Sequence, residues 1–146
     1  MANLSKEKEV LTARLKKRPS GALKKAQALR DRGYTYLMED KIDKALECYE
    51  QAIQLDPHYA SPHNDLGVIY EEKGLLGKAE EEYKKTITLD SNFVAGYANL
   101  ALLYEKQNKF EKALSYWQKR ASCGAPDDPW TKKAIEKLKA YGKEKD

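Results

Sequence analysis

The chain has 146 residues, 41% apolar and 34% charged, an ordinary soluble composition with enough apolar material for the core of one domain. No stretch reaches the roughly 20 consecutive apolar residues that cross a bilayer, and the opening MANLSKEKEV lacks the apolar core of a secretory signal. A cytoplasmic protein is therefore expected, or a periplasmic or exported one if a leader has been removed.

The net charge of +4 is unevenly spread. Residues 1–32 hold ten basic and three acidic side chains, a net of +7; 33–105 hold six and fourteen, a net of −8; and 106–146 hold eleven and six, a net of +5. A basic–acidic–basic layout points to contacts between proteins, copies of this one included, at least as well as to nucleic acid. Cys48 and Cys123 stand 75 residues apart without a Cys-x-x-Cys spacing, too sparse for a disulfide framework or a zinc site.

At the N-terminus, Ser5 is placed to cap a helix with Glu7 and Glu9 in its first turn and Lys16, Lys17 and Arg18 in its last, which suits the helix dipole at both ends. Pro19 ends it. Leu4, Leu11 and Leu15 share a face beside Val10, so residues 1–19 read as a basic amphipathic helix, either a cap on the first repeat or an arm that docks elsewhere. Ser20-Gly21 then opens a longer helix running to about Met38.

From there the chain repeats with a period of 34. Gly33, Gly67 and Ala101 fall in one column, Tyr36, Tyr70 and Tyr104 in the next, then Ala45, Ala79 and Ala113, then Tyr49, Tyr83 and Trp117. Lys44, Lys78 and Lys112 precede the alanines. The small residue and tyrosine are three apart, and the alanine and second aromatic four apart, so each pair shares one face of a helix. Short polar turns at Glu39-Asp40-Lys41, Lys73-Gly74 and Gln107-Asn108-Lys109 separate the two helices of each unit and permit only an antiparallel hairpin. The first two units end in Leu55-Asp56-Pro57 and Leu89-Asp90-Ser91, the third irregularly around Cys123-Gly124-Ala125-Pro126. Beyond it, Asp128-Pro129 is a good helix start, Trp130, Ala134, Leu138 and Tyr141 form a helical stripe, and Gly142 is a natural stop. Stacked repeats leave an apolar face open at each end, which a capping helix over 127–146 would solvate.

These columns, within LRDRGYTYLMEDKIDKALECYEQAIQLDP, HNDLGVIYEEKGLLGKAEEEYKKTITLDS and YANLALLYEKQNKFEKALSYWQKRASCGAP, resemble the tetratricopeptide repeat over about residues 26–126. The resemblance implies an all-α fold of about seven or eight helices: a right-handed superhelical solenoid of antiparallel helix pairs, with repeats at about 26–59, 60–93 and 94–126 inside a region spanning 20–126. Leu29 and His63 stand where the family prefers a large aromatic, and Arg120 and Ala125 where it has alanine and proline.

In such a stack the first helix of each pair lines the concave surface, so the expected partner-binding groove is read along those helices. Unit one supplies Gln27, Arg30, Tyr34, Leu37 and Met38. Unit two supplies Ser61, Asn64, Asp65, Val68, Glu71 and Glu72, and unit three Ala95, Ala98, Asn99, Leu102, Glu105 and Lys106. Asn64 and Asn99 can hydrogen-bond a peptide backbone, Tyr34, Val68 and Leu102 can take apolar side chains, and the glutamates favour basic neighbours. The expected ligand is a peptide or helix, partly apolar and partly basic, of a partner protein. One subgroup of the family grips the C-terminal carboxylate of chaperones. Here only Arg30 matches that pattern in charge; Tyr34 and Asp65 replace its asparagines and Ala95 and Asn99 its basic residues, so a chaperone tail is not expected.

No catalytic, cofactor or metal residue is assigned, and an enzyme is not expected. Gly74-Leu75-Leu76-Gly77-Lys78 has two residues between its glycines where a phosphate loop has four. His58 and His63, with Asp65 close by, lack a fourth ligand. Glu80-Glu81-Glu82 and Asp127-Asp128 read as solvated charge with nothing apolar around them to shift a pKa. Arg14, Lys16, Lys17, Arg18, Lys24, Lys25, Arg30 and Arg32 could meet phosphates, but no aromatic is interleaved and the acidic middle repels a strand, so nucleic acid ranks below protein.

Overall fold

In the computed structural model, residues 2–16 and 21–144 are described. They form eight helices, with no strand among the described residues: α1 (Ala2–Lys16), α2 (Ala22–Met38), α3 (Ile42–Leu55), α4 (Ser61–Glu72), α5 (Leu76–Leu89), α6 (Val94–Lys106), α7 (Phe110–Cys123) and α8 (Pro129–Glu144). The chain divides into two compact units, Met1–Pro62 and His63–Asp146.

In the first unit, α1 begins at Ala2, so Ser5 lies inside the helix and not at its cap, and no acidic residue falls in its first turn. Alanine and leucine ahead of Ser5 are strong helix formers and carry the helix back past it. Pro19 and Ser20 lie outside the described residues, as do the side chains of Leu4, Leu11 and Leu15. The next helix, α2, packs along α3. The reason is steric: a Cβ on Gly33 would lie 2.7 Å from the Tyr49 ring, so only a bare backbone admits that aromatic. Ala45, Cys48, Tyr49 and Ala52 make the buried stripe of α3. Burial pushes the Cys48 thiol above its ordinary pKa, the opposite of what a reactive cysteine needs.

The second unit repeats that join. A Cβ on Gly67 would lie 2.5 Å from the Tyr83 ring. Its core gathers Tyr83, Leu100, Leu103, Tyr104 and Trp117 around Ala79, Ala98, Ala101, Ala113 and Ala134. Lys44, Lys78 and Lys112 lie over the rings of Tyr36, Tyr70 and Tyr104 at 5.5–5.6 Å, so the recurring lysine before alanine is a cation–π column present in both units.

The three first helices end alike. Asp40, Gly74 and Asn108 adopt φ of 58°, 76° and 58°. The amides of the next residues, Lys41, Leu75 and Lys109, donate back to the carbonyls of Tyr36, Tyr70 and Tyr104 at 2.8, 2.8 and 2.9 Å, a Schellman closure that satisfies the last carbonyls of each helix. Asparagine, aspartate and glycine are the residues that tolerate this left-handed position. Asp56 and Asp90 then turn the chain out of the second helices, accepting from the amides of His58 and Asn92 at 3.1 and 3.0 Å.

The third repeat departs at Arg120. Its guanidinium is only 3% exposed, donates to Thr131 Oγ1 at 3.0 Å and pairs with Asp128, whose carboxylate also accepts the Thr131 amide at 2.8 Å. One ion pair thus both caps α8 and fastens it to α7. Thr131, Ala134, Leu138 and Tyr141 therefore form the inward stripe, whereas Trp130, expected there, is 43% exposed beneath Lys133. Ile135 occupies the column of Gly33, Gly67 and Ala101 and is 39% exposed.

Candidate functional site

The expected binding residues lie on α2, α4 and α6, most of them in the second unit, and their exposure varies. On α4, Asn64, Asp65, Val68 and Glu71 are half-buried and Glu72 is exposed; on α6, Ala95 and Lys106 are exposed and Asn99, Leu102 and Glu105 half-buried. Ala98 is 2% exposed and belongs to the core, so it offers a partner no surface. Asn99 Nδ2 donates to Asn64 Oδ1 at 2.8 Å, which joins the two helices and leaves the Asn64 amide hydrogens and the Asn99 carbonyl oxygen for other partners. Val68 and Leu102 pack on the core beside this pair and keep part of their surface outward.

The glutamates are more committed than their sequence positions suggest. Glu71 accepts from the Tyr83 hydroxyl at 3.0 Å and from Lys106 at 3.1 Å. Burial, then the charge of Glu71, pushes the Tyr83 hydroxyl far above its ordinary pKa, so it remains a donor at any physiological pH. Glu105 accepts from Trp117 Nε1 at 2.9 Å, from the Tyr141 hydroxyl at 2.9 Å and from Lys137 at 3.0 Å. Burial raises its pKa, but these three donors together outweigh burial and hold the carboxyl below its ordinary range. It thus ties α6 to α7 and α8. The Trp117 donor stands 12 residues after Glu105, as Tyr83 does after Glu71, so that bond repeats with the period; the donors Lys137 and Tyr141 come from α8, past the last repeat, where the period does not reach.

In the first unit, Tyr34 and Met38 are 53% and 65% exposed and stand one helical turn apart, an open apolar pair on α2. Gln27 is exposed beside them in sequence, while Arg30 and Leu37 are half-buried, as is Ser61 at the start of α4.

The glycine-rich turn and the histidines have structural roles. Gly74 is the helix-ending turn and Lys78 lies over Tyr70. His63 is buried, and its Nδ1 lies 2.7 Å from Glu82 Oε2, a bond joining α4 to α5 where the family has an aromatic. Among the described residues no group of three or more His, Cys, Asp or Glu side chains could hold a metal ion, and no helix is long and apolar enough to cross a membrane.

Family models described as TPR repeat and tetratricopeptide repeat match residues 33–74, 60–93 and 97–129. The chain belongs to the tetratricopeptide repeat family. Solved tetratricopeptide structures share its fold. The first TPR of Spaghetti (RPAP3), bound to the HSP90 peptide SRMEEVD, superposes with a TM-score of 0.71 at 19% identity over 84% of this chain and 94% of that one. The N-terminal domain of the stress-induced protein STI-1 from C. elegans gives 0.68 at 21%, covering 82% and 98%. MamA gives 0.60 at 30%, covering 81% of this chain and 61% of its own. Comparison with curated proteins by sequence returns no match. The all-α tetratricopeptide fold read from the 34-residue period is therefore the fold of the chain.

Proposed function

We propose that this tetratricopeptide protein is a non-catalytic protein-interaction module that holds a peptide or helix of a partner against its first helices. The observation that carries the reading is the Asn64–Asn99 pair. It presents one set of amide hydrogens and one carbonyl oxygen, the complement of a peptide group, between half-buried Val68 and Leu102. On the first unit, Tyr34 and Met38 are an exposed apolar pair of their own. The peptide-bound neighbour supports a protein partner in general. That neighbour's HSP90 peptide speaks against the expectation that a chaperone tail is not a ligand, although Ala95 and Asn99 bring no cation to a terminal carboxylate.

The test is quantitative capture on immobilised protein, wild type beside Asn64→Ala/Asn99→Ala, with melting curves for both. The double substitution removes both halves of one hydrogen bond from a half-exposed place, so the melting temperature should hardly move while captured partner falls several-fold. Loss of fold with capture per folded molecule unchanged would refute the assignment. Titration with SRMEEVD is the companion measurement, and tight binding would place a chaperone tail among the ligands.

A second reading, self-association through residues 1–19, is favoured by the +7 of residues 1–32 against the −8 of 33–105 and by Val10, which is half-exposed on α1. Weak nucleic-acid binding through the same basic segment ranks last, and would reveal itself by a steep fall with salt.

A further inference from the structure

The second unit contains a third first-type helix beyond the groove helices α4 and α6. After a shift of 34 residues α8 repeats the burial of α6: Thr131, Ala134 and Leu138 turn inward where α6 turns Tyr97, Leu100 and Tyr104. The two helices both pack on α7, and Glu105 of α6 takes donors from Lys137 and Tyr141 of α8. With the inward stripe in the same register, the columns of Asn99, Leu102 and Glu105 on α6 hold Lys133, Glu136 and Lys139 on α8, and Lys132, in the column of the buried Ala98, is exposed on α8 instead. Lys132 and Lys139 are exposed, and Lys133 is half-buried with its ammonium 4.7 Å from the Trp130 ring centroid. Among the described residues no ion pair joins any of the three lysines to a carboxylate, and the Lys133 ammonium alone has another contact, the Trp130 ring.

We propose that α8 extends the binding face of α4 and α6 and that the partner segment places acidic side chains on Lys132, Lys133 and Lys139. This rests on the groove reading above and adds a polarity to it. Asp65 and Glu72 make the α4 end acidic, Asn99 and Leu102 make the middle neutral and apolar, and α8 makes the far end basic. A bound segment is thus basic toward α4, apolar in the middle and acidic toward α8. Three opposed charges at a solvated surface contribute modestly each, but together they decide which end of a segment lies where.

The probe is a synthetic peptide with blocked termini, Leu-Ala-Leu-Ala-Glu-Glu-Glu, beside the same peptide with glutamine for glutamate, both titrated by fluorescence anisotropy into the full chain at low and physiological salt. Three charge pairs at a surface should favour the glutamate peptide by about tenfold at low salt, and by less when screened. Lys132→Glu/Lys133→Glu/Lys139→Glu should abolish that preference. Because Lys133 also rests on Trp130, Lys132→Gln/Lys139→Gln is made as well and should reduce the preference without altering the helical circular dichroism. A preference unchanged in both folded variants overturns the α8 proposal. If Asn64→Ala/Asn99→Ala weakens both peptides while the lysine variants change nothing, the groove reading stands and its extension falls. Failure of both peptides to bind wild type counts against both.

Discussion

A methyl group at position 67 would lie 2.5 Å from the Tyr83 ring, and that ring cannot swing away, because it is fully buried and its hydroxyl is bonded to Glu71. Gly67→Ala should therefore destabilise the protein by about 1–3 kcal/mol, even though alanine is the better helix former by about 1 kcal/mol. Gly77, exposed on α5 with open space about its Cβ direction, has only the propensity term, so Gly77→Ala should stabilise by about 0.5–1 kcal/mol. Urea melts of the two variants check the pair, and shifts of the same sign would show that the aromatic does not police the column. Ala79, with no exposed surface at the centre of the core, is the matching site on the second helix. Ala79→Leu should cost about 1–3 kcal/mol by overpacking, and a variant melting no lower than the parent would place the repeat register wrongly.

Among the elements, the joint of α6, α7 and α8 is fixed by two carboxylates, Glu105 and Asp128. Glu105 has a depressed pKa in the folded chain, so its contribution is fully present above the ordinary value of 4.5 and is lost as the pH falls through the lower folded value. Glu105→Gln should lower stability at neutral pH by about 1–3 kcal/mol, the worth of hydrogen bonds to a charged acceptor, with the gap to wild type narrowing as the pH is taken below about 4.5. Denaturant melts from neutral pH downward check this, and a gap independent of pH would mean that the carboxylate charge contributes nothing. Helix pairing is legible in the sequence because packing forces small residues at 33, 67 and 101 to face large ones at 49, 83 and 117, a constraint that repeats at fixed intervals. The Schellman turns are legible as short polar breaks. The roles of Ala98 and Glu105 are not: adjacent residues on a helix point about 100° apart, so Ala98 is buried where Asn99 is not, and two of the three donors to Glu105 come from α8, past the last repeat. Arg120 reads as a lapse in the family pattern because its partners Asp128 and Thr131 lie past the repeat. Ser5 suits a cap as well as a turn inside a helix, so sequence alone starts α1 too late.

At the level of the whole molecule, the uneven charge gives the self-association reading its test. If residues 1–19 dock on another copy, light scattering should show mass rising with concentration at low salt, falling at high salt, and absent from a version beginning at Ser20. A monomer throughout, or oligomers indifferent to the truncation, would end that reading. Growth by stacking is a different matter, and Ile135 bears on it. Within the array, each second helix sets an aromatic ring against a glycine or alanine of the first, and in the second and third repeats that aromatic, Tyr83 or Trp117, also bonds to a carboxylate, Glu71 or Glu105. On α8 the place of that glycine or alanine is taken by Ile135 and the carboxylate position carries Lys139. A further hairpin laid there would meet a branched side chain in place of glycine or alanine, and a cation where Tyr83 and Trp117 find a carboxylate. The helix thus serves as punctuation, and anyone wishing to write another repeat after it would first have to erase those two characters, with glycine for Ile135 and glutamate for Lys139.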